Sequence, residues 1–180
     1  MSAVLKLTSL ATLVVALCFG AGYLLDRTHK LAGLPPGMNL QNVLYADEGR
    51  RTAIIVYEMP DDFAAGLEEG GLAYLKGFAV VPGDGSPHMY SDWRRTPVSE
   101  DEGWSYPTGL IAEGVERDRP SVRDYTDRYD ISTMDRDIEQ MVDEALNTPG
   151  SYYDCSSSGK DTLIVAIPQS RKIVYAASDG

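Results

Sequence analysis

The sequence predicts an α+β fold: an N-terminal transmembrane helix followed by one small domain with a mostly antiparallel sheet of two hairpins and about two packed helices. Three observations predict it. Leu7 to Leu25 is an apolar run with no charged residue in it. Two pairs of β-rich segments flank short turn sequences, one near residue 50 and one near residue 169. Ser132 to Asn147 repeats apolar residues at helical spacing and then meets Pro149-Gly150.

The apolar run reads LTSLATLVVALCFGAGYLL, with Lys6 before it and Asp26, Arg27 and Lys30 after it. A helix rises about 1.5 Å per residue, so a run of this length crosses a hydrocarbon layer of ~30 Å. Residues 1–26 are therefore a membrane anchor or a signal segment. A cleaved signal would be cut at small residues, and Gly20-Ala21-Gly22 offers them. An uncleaved anchor is favoured by the length of the run, by its continuation through Tyr23, Leu24 and Leu25, and by an aromatic followed by cations at its end. A segment of this kind sends the chain behind it across the membrane, so the domain is expected outside the cytosol, on the periplasmic side in a bacterium. Cleavage would instead release it as a secreted protein. Cys18 follows Leu17 rather than a small residue, which argues against a lipoprotein signal, and it reads as a small hydrophobe in lipid. Thr8, Thr12, Ala16 and Gly20 recur every fourth residue along one helix face. Small residues so spaced let a second helix approach, which allows self-association, although they are also common in membrane segments.

Composition bounds the rest. The chain has 180 residues, 43 % of them hydrophobic, so residues 41–180 can bury one ordinary core behind a linker at 27–40. With 27 acidic residues against 16 basic ones the net charge is −11. That field repels nucleic acid and anionic lipid headgroups; it suits a basic protein partner, and it also simply keeps a domain soluble. The two cysteines, Cys18 and Cys155, form no CxxC motif, and His29 and His88 are too few for a histidine-based site. No metal and no cofactor is expected.

Along the chain, Gly33, Pro35, Pro36 and Gly37 break regular structure and mark the linker. Asn42–Ala46, a turn at Asp47-Glu48-Gly49 and Thr52–Met59 read as the first hairpin. Asp61 and Asp62 open a helical pattern through Phe63, Leu67, Leu72, Tyr74 and Leu75, weakened at Gly66, Gly70 and Gly71 by about 1 kcal/mol each. Phe78–Val81 has strand composition. Ser86–Tyr129 is irregular, which for a stretch of this length indicates short unrecognised elements or a functional surface. Ser132 or Thr133 can cap the next helix, whose apolar face comprises Ile131, Met134, Ile138, Met141, Val142, Ala145 and Leu146. Thr162–Ile167, a Pro168–Arg171 turn and Lys172–Ala176 form the second hairpin. Tyr57 and Tyr175 suggest strand faces of mixed polarity, compatible with one wet side.

Three groups invite a chemical reading. Cys155 begins the run Cys-Ser-Ser-Ser-Gly-Lys160, in which backbone amides and Lys160 could lower the thiol pKa. The loop departs from phosphate-binding patterns at Asp161, and an ordinary polar turn uses the same residues. Asp118, Asp124, Asp127, Asp130, Asp135 and Asp137 crowd one region, but interspersed arginines and the absence of an EF-hand order favour a salt-bridged surface. Tyr90, Trp93, Arg94, Arg95, Trp104 and Tyr106 combine the residue types that dominate protein interfaces; the alternative is a satellite core. The expected function is a membrane-anchored accessory protein whose exported acidic domain binds a protein partner without catalysis. The alternative is a small exported hydrolase or thiol enzyme that uses Cys155.

Overall fold

A computed structural model describes residues 34–35, 37–38, 40, 42–48, 52–78, 90, 92–98, 120–126, 134–156 and 160–179. Contacts divide the chain into Met1–Gly33 and Leu34–Gly180, and all described residues belong to the second unit. The apolar run, with Thr8, Thr12, Ala16 and Gly20, lies outside the described residues. Among those described, no helix is long and apolar enough to cross a membrane.

Six strands form one sheet: β1 (Val43–Glu48), β2 (Thr52–Glu58), β3 (Arg94–Arg95), β4 (Tyr152–Ser156), β5 (Lys160–Ile167) and β6 (Lys172–Asp179). Their order is β1-β2-β6-β5-β4-β3, and every neighbouring pair is antiparallel. Four α-helices are described rather than about two: α1 (Asp61–Gly70), α2 (Leu72–Lys76), α3 (Arg123–Thr126) and α4 (Arg136–Asn147). The two expected hairpins are present, and β6 of the second pairs with β2 of the first to join them. The β5–β6 turn is a single 3-10 turn, Pro168–Ser170, closed by Arg171 with φ of 55°. Proline sets the first position of that turn, and its missing N–H costs nothing there.

Several expectations shift. Asp47 and Glu48, expected in the turn, are strand residues opposite Ile54 and Ala53, and residues 49–51 lie outside the described residues. The helix after Pro60 breaks at Gly71, whose φ of 52° and ψ of −128° no helix accommodates. Phe78 sits in a turn, and Ala79–Val81 lie outside the described residues. Asp135 caps α4 by accepting the Asp137 N–H at 2.8 Å; Ser132 and Thr133 lie outside the described residues. Within the irregular stretch the described residues hold two short elements, β3 and α3. The segment expected to be linker already packs at its far end, with Leu34, Met38 and Leu40 all buried.

The largest correction concerns the sheet's faces, because both are dry. On one, Ile54, Val56, Val174, Ala176, Leu163, Val165 and Tyr153 meet Val122 and Tyr125 from the α3 segment and Val142 and Leu146 from α4. Alternation puts Ile55, Tyr57, Ile173, Tyr175, Ile164 and Ala166 on the other face, and these are buried too. Phe63, Leu67 and Leu75 of α1 and α2 are buried outside the first cluster. A Cβ at Gly71 would lie 3.4 Å from the Tyr152 hydroxyl, which places the α1–α2 corner against the second face. Strands β2, β5 and β6 are therefore the middle layer of a sandwich, and their continuous apolar runs belong to strands buried on both sides.

Candidate functional site

The residues expected to form an aromatic contact surface separate on folding. Tyr90 and Trp93 are buried, at 0 % and 2 % exposure. They serve the core, while Arg94 is half-buried and Arg95 exposed on β3. Trp104 and Tyr106 lie outside the described residues. Segment 92–98 is tied down along its length. The Thr96 N–H donates to the Ser151 carbonyl at 3.0 Å, the Thr96 hydroxyl to the Thr148 carbonyl at 2.6 Å, and the Val98 N–H to the Leu146 carbonyl at 2.8 Å. The strand at this end of the sheet is two residues long, and the segment that follows it is bonded to Ser151, Thr148 and Leu146.

Behind it lies a buried acid that sequence reasoning missed. Asp154 faces inward from β4, in register with Ile164, and is 1 % exposed. Its Oδ2 accepts the Asp92 N–H at 2.8 Å, while Oδ1 has no donor. Burial pushes its carboxyl up to about 7; the nearby Asp92 carboxylate pushes the same way, and the Asp92 N–H and the Arg94 guanidinium oppose the shift. Tyr90 and Tyr57 are neighbours on this face, and burial raises both hydroxyls above their ordinary range, with Tyr175 adding to each. The only sequence signal was Asp154 lying between Tyr153 and Cys155, in a segment too short and polar to register as a strand.

Cys155 alternates with Asp154 and so points to the opposite face, half-buried against the α3–α4 core cluster opposite Leu163. It lies on a strand, not in the polar turn that the sequence suggested, and no disulfide is formed among the described residues. Lys160 opens β5 beyond the intervening residues 157–159. Both histidines lie outside the described residues, as do Asp118, Asp127 and Asp130. Asp124, Asp135 and Asp137 serve helix ends, and no acidic or histidine cluster able to hold a metal is found among the described residues. Where α3 meets α4, the charged groups satisfy local partners. Arg123 forms a double hydrogen bond with Glu139, at 2.5 and 2.7 Å, and Asp143 accepts from Ser121 Oγ at 3.0 Å and the Val122 N–H at 2.8 Å. A broad open hollow between these helices is thus floored by groups that bind each other.

The opposite edge differs in every respect. Strand β1 has six residues and ends the sheet. Val43 pairs with Tyr57 and Tyr45 with Val56, so Leu44 is the extra residue of a bulge. Val43 and Leu44 are the exposed large hydrophobics of the described residues, at 41 % and 53 %. Ala46 and Glu48 are exposed as well. Tyr45 points inward, and its hydroxyl accepts the Asp135 N–H at 3.0 Å, which fastens the start of α4 to β1. Among the described strands β1 stands at the end of the sheet, and it carries two large exposed apolar side chains. In comparisons with protein-family models, with curated proteins and with solved structures, this chain matches none.

Proposed function

We propose that this chain is a membrane-tethered accessory protein whose acidic domain binds a basic protein partner on the far side of the membrane from the cytosol, without catalysing a reaction. The observation that carries the proposal is the β1 edge, where Val43 and Leu44 are the large hydrophobics that stand exposed among the described residues. The net charge of −11 supports a partner of opposite sign. The Leu7–Leu25 run supports the tether. The packing of Cys155 against the core supports a structural thiol rather than a nucleophile.

The test is recovery of the full-length protein from carbonate-washed membranes, with intact mass measured on it and mass spectrometry on its companions. The expected result is a chain that retains residues 1–25, stays with the membrane pellet and carries a basic protein released by salt. A mature N-terminus near Tyr23 would overturn the tether. Recovery with no stoichiometric companion would overturn the binding role.

A further inference from the structure

We propose that the Asp154 carboxyl is a proton-operated latch: protonated, it holds residues 92–94 against β4, and ionised, it lets that stretch lift from the sheet while the rest of the domain stays folded. The device does not depend on the partner-binding reading.

Segment 92–98 is fastened at its two ends by different chemistry. At the far end the bonds are uncharged: the Thr96 N–H donates to the Ser151 carbonyl at 3.0 Å, the Ser151 N–H to the Thr96 hydroxyl at 3.0 Å, and the Val98 N–H to the Leu146 carbonyl at 2.8 Å. At the near end stand the two-residue ladder of β3, Arg94 opposite Tyr153 and Arg95 opposite Tyr152, and then the Asp92 N–H on Asp154 Oδ2 at 2.8 Å. That acceptor belongs to an ionisable group 1 % exposed. One backbone N–H is little support for a buried carboxylate. Oδ1 has no donor, and the Arg94 Nε donates to Asp92 instead, at 3.1 Å. The β3–β4 register continued by one residue sets Trp93 level with Asp154, and the buried Trp93 Nε1 has no acceptor. A contact with unmet groups on both sides closes at a cost, and a charge on Asp154 raises that cost steeply.

The groups around Asp154 set the sign. From the latched segment, the Asp92 carboxylate favours the proton, while the Asp92 N–H and the Arg94 guanidinium oppose it. Tyr90 lies close to Asp154, with Tyr175 of β6 and Tyr57 of β2 as its neighbours. Burial raises the Tyr90 and Tyr57 hydroxyls above their ordinary range, so both stay neutral where Asp154 titrates. On β5 the residue opposite is the apolar Ile164. At the α1–α2 corner, Gly71 approaches Arg95 and Tyr152. His88 lies outside the described residues. With the segment closed, burial pushes the Asp154 carboxyl up to about 7; a carboxyl released to water titrates at ~4. The proton therefore favours the closed segment. Closure weakens as pH rises from about 4 to about 7, by at most about tenfold per pH unit, and stays weak above that.

The test is amide hydrogen exchange of the full-length protein in detergent, read by mass spectrometry over residues 92–94 and over β5 and β6, and corrected for intrinsic rates. Protection of 92–94 should fall about a hundredfold between about pH 5 and about pH 8. At pH 8 it should lie well below that of β5 and β6 and respond weakly to low urea, because a local opening exposes little surface. In Asp154→Asn the protection of 92–94 should be the same at both pH values. Asp92→Asn should lower the pH at which the loss levels off, and Arg94→Gln should raise it; these two variants keep the Asp154 carboxyl and carry the test if Asp154→Asn does not fold. Equal protection and equal urea dependence of 92–94, β5 and β6 would overturn the latch and leave only a pH-dependent stability of the whole domain. Loss that persists in Asp154→Asn would assign the titration to another group, His88 among them, and overturn it as well, as would a levelling-off pH that neither Asp92→Asn nor Arg94→Gln moves.

Discussion

The Asp92 N–H donates to Oδ2 of Asp154 at 2.8 Å, joining positions 62 apart in sequence, and the accepting carboxyl is 1 % exposed. This bond helps to bring the segment that leads into β3 against β4. It also leaves one oxygen of a buried acid without a donor. A carboxyl in that position is better satisfied when it carries a proton than when it carries a charge.

A pH dependence results from that burial. The folded-state pKa of Asp154 is about 7, above the ordinary carboxylate value, so the folded protein binds its proton more tightly than the unfolded chain does. The stability this contributes is fully present below about pH 4 and is lost as pH rises through about 7. Asp154→Asn keeps an acceptor for the Asp92 N–H and removes the charge. The variant should gain roughly 1–4 kcal/mol over wild type at pH 8, and almost nothing at pH 4. Urea midpoints of both proteins across that range decide it. A difference that does not change with pH would refute the assignment.

Asp143 ties two helices together. It sits in α4, yet accepts from the Ser121 hydroxyl and the Val122 N–H at the start of α3. Burial raises its carboxyl pKa, while the Val122 and Ser121 hydrogen bonds pull the other way. Asp143→Ala leaves two donors without an acceptor and should cost about 1–3 kcal/mol. Asp143→Asn retains an acceptor and should cost clearly less. Chemical denaturation of the two variants gives the comparison, and equal losses would show that the bonds contribute nothing specific.

Gly66 is small because Tyr74 occupies the space a side chain would take. A Cβ built on Gly66 overlaps the Tyr74 ring, and one on Gly70 falls 2.9 Å from the Tyr74 Cβ. That ring stacks edge-on against Phe63 and Phe78, with centroids 5.4 and 5.1 Å away. Gly66→Ala should therefore destabilise the domain by about 1–3 kcal/mol, although alanine is the better helix former by about 1 kcal/mol. Gly66→Ala combined with Tyr74→Ala should recover part of the loss, because the clash is gone. A stabilised Gly66→Ala single variant would contradict the packing.

Cys155→Ser should leave the biological role nearly intact and cost about 1 kcal/mol of stability, since a hydroxyl replaces a half-buried thiol packed against apolar side chains. Complementation of a deletion strain, together with thiol titration of the full-length protein, checks both halves. A variant that folds but fails to complement, alongside a thiol that titrates well below the ~8.5 of free cysteine, would replace the binding role with thiol catalysis.

The sequence alone determined the elements whose signal is local. Thr52–Met59, Thr162–Ile167 and Lys172–Ala176 announce strands because β-branched residues suit a pleated, buried surface, and they became β2, β5 and β6. The Ser132–Asn147 pattern announced α4 because its apolar stripe repeats at the helical period. Burial of these strands on both faces was not read from the sequence, because Tyr57 and Tyr175 suggested mixed polarity and one wet side, a hydroxyl at a strand position looking like an exposed tip. Only tertiary structure decided the features set by distant partners. β4 and β3 are strands because β5 offers β4 a ladder and β4 offers one to β3, not because Tyr-Tyr-Asp-Cys-Ser or Arg-Arg prefers extension. α3 is four residues long and could not persist alone; Asp143, Glu139 and Asn147 of α4 hold it. The same dependence explains the candidate sites. Trp93 and Tyr90 have the chemistry of a contact surface, and their burial is fixed by the elements that pack over the sheet. The exposure of Leu44 and the burial of Asp154 come from strand order and register, which no single stretch of the chain encodes.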